Sequence, residues 1–322
     1  MFPIRIASLA IGLAASVIAQ GAAAQAWPTK PIRLVVPFSA GGANHLMARA
    51  AAEGASKQLG QPVIVDNKPG AGAILGADVV AKSAPDGYTF LVSAAGVVSN
   101  SMIKKSMPYK DDALVPVAMI GLAPSVIVVP ANAPYKDLKE FVAASKKSGG
   151  GFHWATAGTG STPHFVEGIL ETKYGSKLDV VPYKSGSESI TAGLGSQVEA
   201  TSEASIVVLP YVKSGKLKAL AGTWTQRISA YPELPTAAEE GFPEIRIAHW
   251  AGVHAPRGTP DAILDKMAAA VDAAMKAPAT VERLKGMGIE PIGGTRASFA
   301  KFVDEERARL GSVVKATGMK ED

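Results

Sequence analysis

Short apolar runs alternate with stretches in which apolar residues recur every three to four positions, and glycine- or proline-bearing turns separate them. IRLVV, at Ile32–Val36, reads as a strand. Asn44 is placed to cap a helix that continues to about Leu59 and stops at Gly60. Val63–Val65 is a second strand, residues 73–82 a helix, PDGY a turn, and Thr89–Val92 a third strand ending at SAAG. Strands alternating with helices in this way predict a parallel sheet with helices on its faces.

The pattern restarts beyond residues 115–130. Lys136–Lys147 reads as a surface helix. Phe152–Thr156, Val180–Pro182, Val198–Thr201 and Leu217–Gly222 read as strands, with helices near Phe165–Tyr174, into Leu194 and on to about Lys213. Residues 245–255, IRIAHWAGVHA, form a strand-like return. Pro260–Lys276 is an amphipathic helix with a proline in its first turn, and Ala297–Lys315 a long charged helix. These last helices have no sheet of their own, so they are expected to pack back on the first unit. The expected fold class is α/β in two domains, residues 27–124 with 246–322 and residues 125–245. Two crossings between domains make a hinge, which suits a cleft that closes on a ligand.

The first 26 residues stand outside this pattern. One arginine precedes IASLAIGLAASVIA, an apolar run too short to span a bilayer comfortably, and GAAAQA offers cleavage after Ala24 or Ala26. A secretory signal peptide is expected at 1–26. The chain has no cysteine, which excludes a lipoprotein anchor and disulfides. With Arg5 gone the remainder carries 32 bases against 28 acids. That mild excess favours an anionic ligand weakly, and no Lys/Arg run has the density of a nucleic-acid footprint, so no nucleic-acid partner is expected.

Four strand ends lead into small, polar loops: PFSAGGANH (37–45), SAAGVVSN (93–100), TAGTGSTPH (156–164) and YKSGSES (183–189). Ligands of α/β sheets bind at such ends, and a helix N-terminus behind a loop favours an anion. One loop is an ordinary turn; four across two domains predict a ligand cleft. GAGAILG at 70–76 has the wrong spacing for a dinucleotide fingerprint and reads as a turn near the cleft rim. No G-x-S-x-G elbow is present, and Ser161, three residues before His164, reads as a cap or an anion donor. The five histidines form no compact ligand cluster, and His249 and His254, five apart on a strand, point to opposite faces. No metal and no cofactor are expected. Glu203 sits at a strand end, where it either reaches the cleft or faces solvent.

WPTKPIRLVVPFSAGGANHLMAR, LGQPVIVDNKPGAG, APDGYTFLVS, ATAGTGSTPHF, VPYKSGSESI, LPYVKSGKLKALA, LPTAAEEGFPE and WAGVHAPRGTP follow one another in order. Together they resemble the Bug-type solute receptors of tripartite tricarboxylate transporters, from about Trp27 to the C-terminus. The resemblance implies a periplasmic, type II-like Venus-flytrap fold, each domain a mostly parallel sheet flanked by helices, without catalysis or cofactor. It implies that the first turn (Phe38, Ser39, Ala40, Gly41, Gly42) and the second-domain loop (Thr156, Gly158, Thr159, Gly160, Ser161, His164) grip a carboxylate from two sides. It adds contacts at Ser93, Ala94 and Ala95, at Lys184, Ser185 and Gly186, and at Glu203, commonly Asp in relatives.

The family it resembles usually reads G-G-x-x-D in the first turn; this chain has Gly41, Gly42, Ala43, Asn44 and His45. A histidine there suits a second carboxylate, a carbonyl or a ring better than an ammonium, unless His45 is simply a helix-start residue facing solvent. The expected function is capture of a small organic carboxylate, a dicarboxylate first, by a monomer that delivers it to membrane permease subunits. A ligand sensor for a signalling partner and a secreted carboxylic-ester hydrolase are the alternatives.

Overall fold

The computed structural model describes residues 27–183 and 185–321; the expected signal peptide and Lys184 lie outside them. The first unit runs β1 (Ile32–Val36), α1 (Ala43–Leu59), β2 (Val63–Asn67), a single 3-10 turn (Ala71–Ala73), α2 (Ile74–Ala81), β3 (Thr89–Ser93) and α3 (Ala95–Ile103). A 17-residue strand, β4 (Leu114–Pro130), follows. Then come α4 (Leu138–Lys147), β5 (His153–Thr156), α5 (Thr162–Tyr174), β6 (Asp179–Pro182), α6 (Gly186–Leu194), β7 (Ala200–Ala204), α7 (Ser205–Lys213) and β8 (Leu217–Gly222). The chain returns through β9 (Ala248–Pro256), α8 (Asp261–Lys276), α9 (Pro278–Gly286), β10 (Glu290–Pro291) and α10 (Arg296–Thr317).

Among the described residues the strands join in the order β2-β1-β3-β9-β4-β7-β5-β6, with β8 and β10 also on β4. The two arms are parallel, β2-β1-β3 and β6-β5-β7, and the centre is antiparallel. β4 is the shared element. Its first part, Leu114–Pro124, pairs with β9; its last part, Ser125–Pro130, pairs with β7 and β8. Pro124 lacks the N–H a ladder needs and stands where the partners change. Thr223 stitches both crossings, donating its hydroxyl near Ser125 O and Ile247 O at 3.0 and 2.6 Å. Covered on both faces, β4 shows no alternation and is buried almost throughout, so its apolar run carries no period to read.

One core lies between α1, α8 and the β1, β3, β9 and β4 strands; a second surrounds Trp154, Phe141 and Phe165. α8 packs on α1, where a Cβ on Gly54 would come within 2.3 Å of Ala274. α10 departs from the expectation that the C-terminal helices rest on the first unit alone. It seats Phe299 against Gly252 and Trp250 of β9, yet its last turns meet Gly168 of α5 through Thr317 and Val313.

Three local expectations are corrected. Gly42, not Asn44, occupies the cap of α1, and the Asn44 amide instead donates to Trp250 O at 2.9 Å. Pro260 is the residue before α8 rather than its first. β7 is TSEA-rich Ala200–Ala204, shifted past the apolar Val198. Thr201 is buried with partners, donating to Ala155 O at 2.9 Å and meeting Ser189 at 3.2 Å, whereas Ser202 Oγ and Glu203 Oε1 are buried without a protein partner.

Candidate functional site

A cleft of about 660 Å³ opens between the two parts of the sheet. Its walls come from the β1–α1 turn (Pro37–Asn44), residues 69–73 before α2, the starts of α3, α5 and α6, the β7–α7 junction (Glu203, Ala204, Ile206, Val207), and His249 and Trp250 of β9. Five helices therefore begin at this cleft: α1, α3, α5, α6 and α7. Four of them, capped by Gly42, Ala94, Ser161 and Ala204, receive no side-chain cap bond. Their first N–H groups and the positive ends of their dipoles face the same space. Ser161 sits in the cap position of α5 with its Oγ buried and without a protein partner. No Lys or Arg lines the cleft among the described residues.

The turns are held from behind. Asn67 donates to Phe38 O at 2.7 Å and Asn100 to Gly72 O at 2.9 Å. Gly160 N–H donates to His164 Nδ1 at 3.2 Å, which requires a neutral ring; burial holds His164 below the usual imidazole range, in agreement. Gly160 itself has φ +72, and a Cβ there would come within 2.7 Å of Ile103 Cδ1 of α3. The left-handed backbone favours glycine there, and a methyl would oblige the end of the Ile103 side chain to shift.

A family model described as the tripartite tricarboxylate transporter family receptor matches residues 47–319. Protein BugT of Bordetella pertussis is 35% identical over 98% of both chains. The chain belongs to this receptor family. Two solved relatives from R. palustris support the same architecture. Rpa4515 with adipate is 30% identical, covers 91% of this chain and 98% of its own, and superposes at a TM-score of 0.84. MatC with bound malate is 31% identical, with 89% and 100% covered and a TM-score of 0.79. The receptor thus has the two-domain architecture of periplasmic binding proteins and a solute-binding role. No helix among its described residues is long and apolar enough to cross a membrane.

The cleft gathers Phe38, Ser39, Ala40, Gly41, Gly42, Asn44, Ala94, Ala95, Thr159, Gly160, Ser161, Ser185, Gly186 and Glu203 of the receptor's expected contacts. Others stand behind the wall. Ser93 is fully buried and donates to Gly252 O at 3.0 Å, tying β3 to β9. Thr156 is fully buried, its Oγ1 accepting from Gly158 N at 3.4 Å. Gly158 and His164 shape the loop without lining the cleft, and neither does His45. Asn44 at the second position of α1 turns toward β9, and each further residue is rotated about 100°, which carries His45 aside. Residues 69–73, Asn100, Ile206, Val207, His249 and Trp250 were not among the expected contacts. Only GAGAILG had a readable signal; His249 reaches the cleft through the long-range pairing of β9, which no local pattern reports.

Proposed function

We propose that the receptor is periplasmic and captures a small organic di- or tricarboxylate, aliphatic or aromatic, for the membrane permease subunits of a tripartite transporter. It binds without turnover and works as a monomer. One observation carries the reading: four helix N-termini without side-chain caps converge on one cleft whose described lining holds no Lys or Arg. Each such terminus near an anion contributes about 0.3–1 kcal/mol at the surface and up to about 2 kcal/mol when partly buried. The adipate and malate held by the two solved relatives support the same ligand class.

In this reading the carboxylate rests on the amides of Ser39–Gly42 and Thr159, with hydroxyls of Ser161 and Ser185 as further donors; the Gly160 and Ser161 amides hold their own loop through His164 Nδ1 and Gly158 O. Residues 27–124 with 246–322 form one lobe and 125–245 the other, closing about β4, after a leader cleaved near Ala24 or Ala26. A thermal-shift screen of the mature protein tests this. Di- and tricarboxylates raise the melting temperature; a rise with amino acids and none with carboxylates overturns the reading.

A further inference from the structure

Where β7 and β9 flank β4, the cleft holds two side chains that a grip of backbone amides leaves unused. The Glu203 side chain is 6% exposed, and its Oε1 has no protein hydrogen-bond partner. His249 Nε2 is also buried and without a partner. It lies 3.8 Å from Glu203 Oε2, too far for a hydrogen bond. α6 begins directly against this acid: a Cβ on Gly186 would come within 2.6 Å of the Glu203 carboxyl carbon. The glycine seats the helix start on the carboxyl and fixes its position.

Burial pushes Glu203 up to about 8 and His249 down to about 4. At neutral pH the two are therefore an uncharged carboxylic acid beside an uncharged imidazole. His249 is the titratable group facing Glu203 from β9. Val126, its register partner on β4, and Ala204 and Ile206 at the start of α7 carry no charge. On α6, Glu188 is exposed, and Lys184 before the helix lies outside the described residues.

We propose that Glu203 keeps its proton in the cleft and through it donates a hydrogen bond to a second carboxylate of the ligand, with His249 alongside, so that a dicarboxylate binds the protonated receptor. This rests on the carboxylate reading above and goes further, naming the group that recognises the second acid. A carboxylic acid donating to a carboxylate is a charge-assisted hydrogen bond, among the stronger kinds. An ionised Glu203 would instead repel that carboxylate and favour an ammonium, so the held proton also selects against amino acids.

Calorimetric titration of the mature receptor between pH 6.5 and 9 tests this. The probes are α,ω-dicarboxylates from succinate to suberate, malate, the benzenedicarboxylates, and monocarboxylates of matched length. Dicarboxylate affinity is expected to fall about tenfold per pH unit above about 8 while monocarboxylate affinity stays level. Near pH 8.5, titrations in two buffers of different ionisation enthalpy show proton uptake with dicarboxylates. Glu203→Gln, a neutral donor of the same shape, keeps dicarboxylate affinity at pH 7 within about threefold and removes both the slope and the uptake. Level dicarboxylate affinity without proton uptake in the unmodified receptor overturns the inference, whether or not the variant folds. An unchanged slope in a folded Glu203→Gln overturns it too. If no carboxylate of either kind binds, the carboxylate reading fails first and this inference with it.

Discussion

Where α1, α3 and α5 open on the cleft, the polar groups are backbone amides and the Ser161 hydroxyl, none of which titrates. Where β7 and β9 meet, they belong to Glu203 and His249, which titrate. The two regions meet an anion by different means. Amides at helix starts offer fixed partial charges whatever the pH. A buried acid offers a hydrogen bond only while it is protonated. On the proposed reading, the first region sets how tightly a carboxylate is held, and the second which partner group accompanies it.

The largest separation between them comes from Ser161→Ala. A donor to a charged group is lost, at about 1.5–3 kcal/mol, or about ten- to a hundredfold in affinity, for mono- and dicarboxylates alike. A loss confined to dicarboxylates would place Ser161 with the Glu203 region instead. Gly160→Ala is next. The left-handed backbone costs an alanine about 1–2 kcal/mol, and its methyl meets Ile103, so the melting temperature falls and all carboxylates bind less tightly. Unchanged melting and affinity would mean that the loop does not hold its conformation.

Stability against pH sharpens the contrast without any ligand. Glu203 is raised from 4.5 to about 8 in the fold. Its contribution is complete below about 4.5 and is lost as pH rises toward 8. Glu203→Gln removes that loss, so the variant gains on the unmodified protein between pH 5 and 8 in thermal melts. Glu167, also raised to about 8 by burial, keeps part of the slope in both. The buried histidines act in the opposite direction. His249 and His254 are lowered from 6.5 to about 4 and about 3, so their contribution is present above 6.5 and lost as pH falls below it. A variant gain that shrank as pH rose would contradict a protonated Glu203. The smallest effect is at His45, which does not line the cleft: His45→Ala should leave affinity within about threefold, and a larger loss would bring it back into contact with the ligand.

Much of this contrast was legible in the chain. The βα turns announced themselves through proline, glycine and serine after β-branched runs, because a turn's chemistry is local. That helices lie behind these turns followed from them, although α1 is capped at Gly42, two residues before the expected Asn44, and α5 starts at Thr162 rather than near Phe165. What was not legible depends on tertiary contact. Asn44 has the chemistry of a cap, but Trp250, more than 200 positions away, takes its amide. β7 could not be placed from Val198 because its buried Thr201 finds its partners on β5 and α6. His249 looked like one half of an uninformative histidine pair. Its partner, Glu203, meets it only because β4 pairs with both β7 and β9.

On the proposed reading, the cleft captures an ionised carboxylate held by helix N-termini rather than by a cationic side chain. The most direct measurement compares a dicarboxylate that stabilises the receptor with its own diamide, at equal concentration, by thermal shift. At a hundred times its dissociation constant the acid is expected to add about 2.7 kcal/mol of stability and the diamide nothing measurable. An equal shift from the diamide would show that shape, not charge, is what the cleft reads.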